Sequence, residues 1–347
     1  MNKTAIKSFA VDARRKLIEE TKKKAYEIGI TENGIAIELQ QSTNDLKFYD
    51  VGAKENTIVS GKNIKKRDDL IEAIKTKEQS CGSYKKAFEY IVDEVAYTWF
   101  NRLIAIRFME VNDYLPSGVR VLSSNNIAKN EPDLVTNPFD SDLEYTDSER
   151  ELIFNLKDNN KLDELFKMLF IKQCNSLHSI LPVLFEETDD YTELLLDISF
   201  TNVDGIVHKL VNDIDEEDFK DNVEIIGWMY QYYISEEKDR IFAEKKKNKI
   251  TKENIPAATQ LFTPDWIVRY MVENSLGRFW LEGYPNEELQ NNWKYYLKEA
   301  EQNEDVQAEL DKIRAEIKVS SPEDIKFLER KTTRLIKGFE ANTQESA

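Results

Sequence analysis

The longest amphipathic segment of the chain, residues 84–115, is the feature that most restricts the fold. It reads YKKAFEYIVDEVAYTWFNRLIAIRFMEVNDYL. Its apolar residues recur at steps of three and four: Phe88, Val92, Val95, Trp99, Leu103 and Ile106. Such steps place apolar side chains on one face of an α-helix. The segment therefore predicts a single helix of about 45 Å, at 1.5 Å per residue, which ends at Pro116 and Gly118.

Composition favours helices in the remainder of the chain. Only 11 glycines and 8 prolines occur among 347 residues, whereas 33% of the residues are charged. This balance predicts a mainly α protein rather than a β-sandwich or barrel. A small α+β element is expected near the N-terminus, where a helix reaching about Tyr26 precedes a short strand, IAIEL, at residues 35–39. Residues 123–147, rich in Ser, Asn, Asp and Pro, are predicted to form an exposed loop or a linker.

Several kinds of functional site are excluded by the motifs that are missing. No two glycines form a G-x-G pair, so no glycine-rich nucleotide loop is encoded. His178 and His208 have no partner at metal-ligand spacing, and Cys81 and Cys174 lie far apart. We therefore expect no metal and assign no catalytic residue. No apolar run approaches 18 residues, the length that a membrane span needs, and the chain does not begin with the charged and then apolar residues of a signal peptide. We therefore expect a reduced, cytoplasmic protein with no membrane partner.

The charge is strongly negative but unevenly distributed. The net charge is −17, yet residues 1–90 carry 18 basic and 14 acidic side chains, which leaves 30 and 51 for the remainder. A negative chain is a poor module for coating nucleic acid, since such modules neutralise phosphates with Lys and Arg. The N-terminal quarter is the better candidate for contacting an anion. The overall charge also suggests an acidic mimic of DNA, although the basic N-terminal quarter counts against it.

The segment QLFTPDWIVRYMVENSLGRFW, residues 260–280, combines a helix start with an apolar face. Thr263 is suited to cap a helix and Pro264 to occupy its first turn. The apolar residues that follow fall on one helical face, which is typical of core packing: Ile267, Val268, Met271, Val272, Leu276, Phe279 and Trp280. Local pattern alone therefore explains this segment as a capped, packed helix.

The same segment resembles the tenth motif of amino-group DNA methyltransferases of the gamma order. In that family [FY]-[TS]-P opens the helix that closes over the methionine end of S-adenosylmethionine. Residues 96–124, 223–242 and 258–282 resemble adenine-specific methyltransferases of BREX phage-defence systems, and the resemblance extends over about residues 1–328. It implies S-adenosylmethionine as cofactor, with DNA and other defence proteins as partners. It also implies a cofactor-binding segment, which consists of Gln260, Leu261, Phe262, Thr263 and Pro264.

The resemblance ends before the residues that would complete such a site. After PEDIKFL at residues 322–328, the family continues with a D-P-A-C-G-S-G cofactor loop and later N-P-P-Y, whereas this chain reads ERKTTRLIKGFEANTQESA. Asn137, Pro138 and Phe139 resemble N-P-P-Y only in part and are expected to form a surface turn. We therefore expect a truncated or frameshifted product that neither methylates DNA nor binds the cofactor on its own.

These observations define the predicted domain order and function. Residues 1–80 form a mixed α/β segment, 81–250 a helical domain, 251–283 the cofactor-contacting motif and its helix, 284–320 a charged helical hairpin, and 321–347 the truncated start of a catalytic domain with an unrelated tail. The fold class is mainly α, followed by the first helix and a partial strand of a Rossmann-like methyltransferase domain. The predicted function is part of a DNA adenine N6-methyltransferase that marks self DNA. The alternative is a docking module of the defence complex without chemistry of its own.

Overall fold

A computed structural model describes residues 1–52, 56–126, 129–187, 189–245, 250–251 and 254–297, together with positions 304, 308, 311 and 312. The chain divides into two compact units, Met1–Pro264 and Asp265–Ala347. It is mainly helical, which confirms the coarse fold prediction. The strand and tail predicted at 321–347, and most of the hairpin predicted at 284–320, lie outside the described residues. No helix in the described ranges is both long and apolar enough to cross a membrane.

Helices make up most of the first unit. They are α1 (Lys3–Glu27), α2 (Lys62–Cys81), α3 (Tyr84–Val111), α4 (Asp133–Thr136), α5 (Asp147–Asp158), α6 (Leu162–Ser176), α7 (Tyr191–Leu194), α8 (Ile206–Asn212), α9 (Glu216–Phe219), α10 (Glu224–Tyr233), α11 (Ser235–Lys245) and α12 (Ile255–Thr259). The strands β1 (Ile30–Thr31), β2 (Gly34–Ile35), β3 (Leu46–Tyr49) and β4 (Thr57–Ser60) form two antiparallel pairs, β1 with β2 and β3 with β4.

Helix α3 is the centre of the first unit. Its predicted apolar face is buried, as are two guanidinium groups, those of Arg102 and Arg107. Helices α1 and α2 pack against it, and α1 also packs along α10. Trp99, 1% exposed, places its indole N–H 2.9 Å from the carbonyl oxygen of Thr192, so this large side chain is buried without an unsatisfied donor.

The first 80 residues contain more structure than their pattern predicted. The predicted helix to Tyr26 is confirmed as α1, but the strand at 35–39 is short, since β2 covers only Gly34–Ile35. Gly29 lies between the end of α1 and the start of β1 and has a φ of 74°. A Cβ at this position would lie 2.7 Å from the Ala36 side chain. Only glycine fits this turn. The pair β3–β4 and helix α2 were not predicted.

The segment at 123–147 is not the exposed loop that its composition predicted. It contains α4 and a 3-10 turn at Pro138–Asp140, and Leu134 and Val135 are fully buried. Short helical turns bury these apolar side chains, and Ser123 is buried as well, whereas Asn125, Asn137 and Asp140 are exposed. The expectation was therefore wrong for the part of this segment that contacts the core.

The second unit is described over residues 265–297 and four further positions. It contains α13 (Asp265–Val272), a π-helical turn at Glu273–Gly277, α14 (Arg278–Gly283) and α15 (Glu287–Asn292). Residues 293–297 fold back over the π-helical turn. The backbone N–H of Tyr295 donates to Glu273 Oε2 at 2.7 Å, and Asn274 bonds backbone groups of Tyr295 and Leu297.

The apolar face of α13 and α14 is not packed in a core, contrary to the local-pattern expectation. Met271 is 61% exposed, Leu276 70% and Trp280 53%. Val268, Val272 and Phe279 are exposed to a similar degree. An amphipathic pattern identifies the apolar side of a helix, but not what covers it. A contiguous exposed apolar face of this kind is typical of an interaction surface.

Glu20 on α1 gives a test of this packing through pH. Burial, reinforced by the nearby Asp197 carboxylate, raises the pKa of Glu20 from 4.5 to about 7. The raised folded-state pKa means that the neutral carboxyl stabilises the fold. This contribution is complete below about pH 4.5 and is lost as pH rises through about 7. We predict that Glu20→Gln raises the free energy of unfolding by about 1–3 kcal/mol at pH 8 and has little effect at pH 4.

Urea denaturation at the two pH values measures this difference. Glu19→Gln, at an exposed position next to Glu20 on the same helix, serves as the control and is expected to change stability by less than about 0.5 kcal/mol at either pH. Equal effects of Glu20→Gln at pH 4 and pH 8 would contradict the assigned burial.

Candidate functional site

The candidate cofactor-binding segment, residues 260–264, follows α12 in an irregular conformation within the first unit. Its side chains alternate between contact with the helices and exposure. Gln260, Phe262 and Pro264 are half-buried, whereas Leu261 is 72% exposed and Thr263 is also exposed. The segment therefore presents one apolar side chain and one hydroxyl group outward.

Two polar side chains of the helical unit hold the backbone of this segment. Lys238, on α11, donates from Nζ to the Gln260 carbonyl oxygen at 2.9 Å. Gln231, on α10, accepts the Phe262 N–H through Oε1 at 2.8 Å. The Gln260 N–H donates to the Pro256 carbonyl at 3.0 Å, which closes the last turn of α12. Backbone groups on both sides of Leu261 are thus fixed by hydrogen bonds.

The Phe262 ring anchors the segment on α10. It lies edge to face against Trp228, with ring centroids 5.2 Å apart. A Cβ added at Gly227 would overlap the Phe262 ring, so the ring occupies the space that glycine leaves on the helix surface. The Lys3 ammonium lies 3.9 Å from the centroid of the Trp228 ring, a cation–π geometry that adds α1 to the same cluster.

The aromatic residues of α10 add no negative charge near this cluster. Burial raises the pKa of the Tyr230 phenol, and burial also raises that of Tyr233, whose ring centroid lies 4.3 Å from that of Phe100. Both phenols are therefore neutral at physiological pH.

The arrangement can bind a ligand but provides no group for catalysis. The Thr263 hydroxyl can donate or accept a hydrogen bond, and Leu261 can contact an apolar group. Within the described part of the chain, no three His, Cys, Asp or Glu side chains lie close enough to hold a metal ion. Phe139, from the partial N-P-P-Y match, packs against Phe154 with ring centroids 5.4 Å apart, in a turn that its neighbours hold.

Gly227, Gln231 and Lys238 position the segment, and sequence reasoning did not identify them. They precede it by 20 to 40 residues, and each fits an ordinary helical pattern. Gly227, a glycine in the middle of an otherwise strong helical pattern, was the available signal, because such a glycine often marks a close approach to its helix.

Two known proteins match most of the chain. It is 44% identical over 336 residues to the adenine-specific methyltransferase PglX of Lacticaseibacillus casei (strain Zhang), a match that covers 91% of the chain and 27% of that protein. It is also 44% identical over 247 residues to the adenine-specific methyltransferase BrxX of Escherichia coli O9:H4 (strain HS), covering 71% of the chain and 20% of that protein. The chain is homologous to part of these methyltransferases. No protein-family model matches it.

The homology confirms the resemblance predicted from the sequence, since PglX and BrxX are components of BREX systems. Only 9% of the chain lies outside the match to PglX, so residues 260–264 fall within its span. The chain covers about a quarter of the length of these relatives.

The contact between Phe262 and Gly227 predicts an unusual effect of a helix-favouring substitution. Gly→Ala inside a helix normally stabilises it by about 1 kcal/mol. Here we expect Gly227→Ala to destabilise the chain by about 1–3 kcal/mol, because the new methyl group displaces the Phe262 ring. In a Phe262→Ala background the clash is absent, so the same change becomes neutral or stabilising.

Urea denaturation of the wild type, both single variants and the double variant measures this coupling as a double-mutant cycle. Gly283→Ala, at the end of α14 with no neighbouring atom in the way of a Cβ, controls for the general effect of the substitution. If Gly227→Ala has the same effect with Phe262 present and absent, the ring does not occupy the proposed position.

Proposed function

We propose that the chain is the N-terminal part of a site-specific DNA adenine N6-methyltransferase that uses S-adenosylmethionine. The observation that carries this proposal is homology to PglX and BrxX, and the match to PglX extends through the segment at residues 260–264. The geometry adds support, because the helical unit holds the backbone of that segment at two points while Leu261 and Thr263 are exposed.

The residues present fit the methionine end of the cofactor. Its carboxylate requires hydrogen-bond donors, which the Thr263 hydroxyl supplies at an exposed position. Leu261 offers an apolar contact, and Phe262 acts as a positioning residue, since its ring is already packed against Trp228. When bound, S-adenosylmethionine supplies an electrophilic methyl group on sulfur. This chain contributes a binding surface, and the adenine-gripping and catalytic groups belong to the rest of the enzyme.

The exposed apolar face of α13 and α14 fits the same proposal. We assign this face to contact with the part of the methyltransferase that these 347 residues do not include, because the matched relatives continue well beyond the length that this chain covers. The runner-up function, a docking module for a separate defence protein, uses the same face. A hydrophobic dye should bind this chain strongly under both proposals. A longer protein that contains the missing part should bind the dye weakly if that part covers the face, and strongly if the face is reserved for a separate protein.

Adenine methylation by the complete enzyme would mark self DNA in BREX defence. DNA recognition would then rest largely outside this chain, because the negative charge of residues 91–347 repels phosphate. Other BREX proteins are the proposed partners.

Replacing Thr263 tests the proposed function in a chimera. The matching segment of the Lacticaseibacillus casei PglX is exchanged for this chain, and S-adenosylmethionine is titrated calorimetrically into the chimera and its Thr263→Ala variant. We expect the chimera to bind the cofactor and methylate DNA. Loss of a charge-assisted hydrogen bond in Thr263→Ala, of about 1.5–3 kcal/mol, should weaken cofactor binding about ten- to hundredfold.

Thr259→Ala is the matched control, since Thr259 is also exposed and its hydroxyl bonds only the Ile255 carbonyl of its own helix turn. If Thr263 only caps the helix that follows it in the sequence, Thr263→Ala should lower the free energy of unfolding by about 0.5–2 kcal/mol with an unchanged dissociation constant. That result would remove Thr263 from the site. A folded chimera that binds no cofactor would contradict the proposed function itself.

A further inference from the structure

A second candidate site lies in the first unit, in a cavity of about 180 Å³ beside the C-terminal end of α3. The cavity is bounded by α3, residues 120–124 and 129–130, α8 and the first residue of α9. Arg107, Arg120, Lys129 and His208 line it, together with the single carboxylate of Glu216 among the described lining residues. The chain as a whole carries a net charge of −17, so the excess of basic over acidic side chains in this lining is opposite in sign to the chain's net charge.

The innermost basic group is rigidly held. Arg107 is 2% exposed, and its Nη1 donates to Glu110 Oε1 at 2.7 Å and to Ser123 Oγ at 3.0 Å. The other oxygen of Glu110 accepts the backbone N–H groups of Val121 and Leu122, both at 2.8 Å. Glu110 therefore both neutralises Arg107 and fixes the segment that carries Arg120. The cavity wall is built by a buried network rather than by mobile surface side chains.

The charge that faces the cavity is incompletely balanced. Glu216 Oε1 lies 3.4 Å from Arg107 Nη1 and forms a short ion pair with Arg120 Nη1. Together with Glu110, which pairs with Arg107, it balances the two guanidinium groups, and Lys129 remains as an additional positive charge in the lining. Its side chain is 41% exposed, whereas those of Arg107 and Arg120 are 2% and 18% exposed. Among the described residues, both guanidiniums form all their hydrogen bonds through Nη1. Their Nη2 donors remain available to a further acceptor.

We infer that this cavity binds a phosphate-type oxyanion, which takes the place of Glu216 between the two guanidinium groups. Guanidinium forks match the oxygens of phosphate in pairs, and Lys129 adds a third positive charge. The volume suits a single phosphate group, since a cavity of about 150 Å³ holds one benzene molecule. The same chemistry is offered by inorganic phosphate and by a backbone phosphate of DNA. The site is separate from residues 260–264 and does not depend on the proposed methyltransferase function.

Glu216 acts as an internal competitor in this arrangement, which yields opposite effects for two substitutions. Arg120→Gln removes a cationic partner of the anion and should weaken phosphate binding about tenfold. Glu216→Gln removes the competing negative charge and should strengthen binding about three- to tenfold. If the ion pair were purely structural, the two substitutions would not change phosphate affinity in opposite directions, because the loss of either partner breaks the same contact.

Calorimetric titration of sodium phosphate into the 347-residue chain tests the inference, with sodium chloride at matched ionic strength as the reference. Arg15→Gln is the matched control, because Arg15 forms a comparable pair with an exposed carboxylate, Glu236, elsewhere on the unit. We expect saturable phosphate binding that is unchanged in Arg15→Gln, weaker in Arg120→Gln and tighter in Glu216→Gln. Melting curves identify any variant that fails to fold, and in that case the Glu216→Gln titration alone decides.

Absence of phosphate binding beyond the chloride reference would overturn the inference, as would binding that Glu216→Gln fails to strengthen. A competing short DNA duplex distinguishes the two sources of the anion. Displacement of bound phosphate by the duplex supports the cavity as a contact for backbone phosphate. Retention of phosphate supports a site for the free anion.

Discussion

Burial of α3 on several sides is the constraint on which the rest of the first unit depends. Because α3 is covered by α1 and α2, and α1 in turn packs along α10, the position of α10 follows from the same core. Helix α10 then carries Gly227, Trp228 and Gln231, which hold Phe262 and its backbone. The candidate segment is therefore placed by a chain of packed helices that begins at α3, about 160 residues earlier in the sequence.

The same helix carries two buried cations with different environments. Arg102 donates from Nη2 to the Glu186 carbonyl at 2.7 Å and lies near the Trp99 ring, and burial lowers its pKa. Arg107 instead has a buried carboxylate, that of Glu110. Removing one partner of a buried pair leaves an uncompensated charge, at a loss of about 3–5 kcal/mol. The pair thus fixes residues 121–123 against α3, and this shapes the cavity that Arg107 and Arg120 line.

The sequence predicted the long helices well and the contacts between distant segments poorly. The periodicity of α1 and α3 was sufficient because each buries a continuous apolar face. The two-stranded pair β3–β4 was missed because its four-residue strands carry little pattern. For the candidate site, resemblance to the methyltransferase family selected residues 260–264, and their role in cofactor binding stays a prediction. The inward direction of Phe262 was not predictable, because it depends on space left by Gly227, 35 residues away.

The helical unit holds residues 260–264 in place through contacts with α10 and α11, and amide hydrogen exchange at Phe262 tests this most directly. The Phe262 N–H donates to a side chain on α10 rather than to a neighbouring backbone carbonyl, so its protection reports docking of the segment alone. We predict exchange at least about a hundredfold slower than in an unstructured peptide, with protection lost in Gln231→Leu. Exchange of the Phe262 amide at the unstructured rate in the wild-type chain would contradict the account.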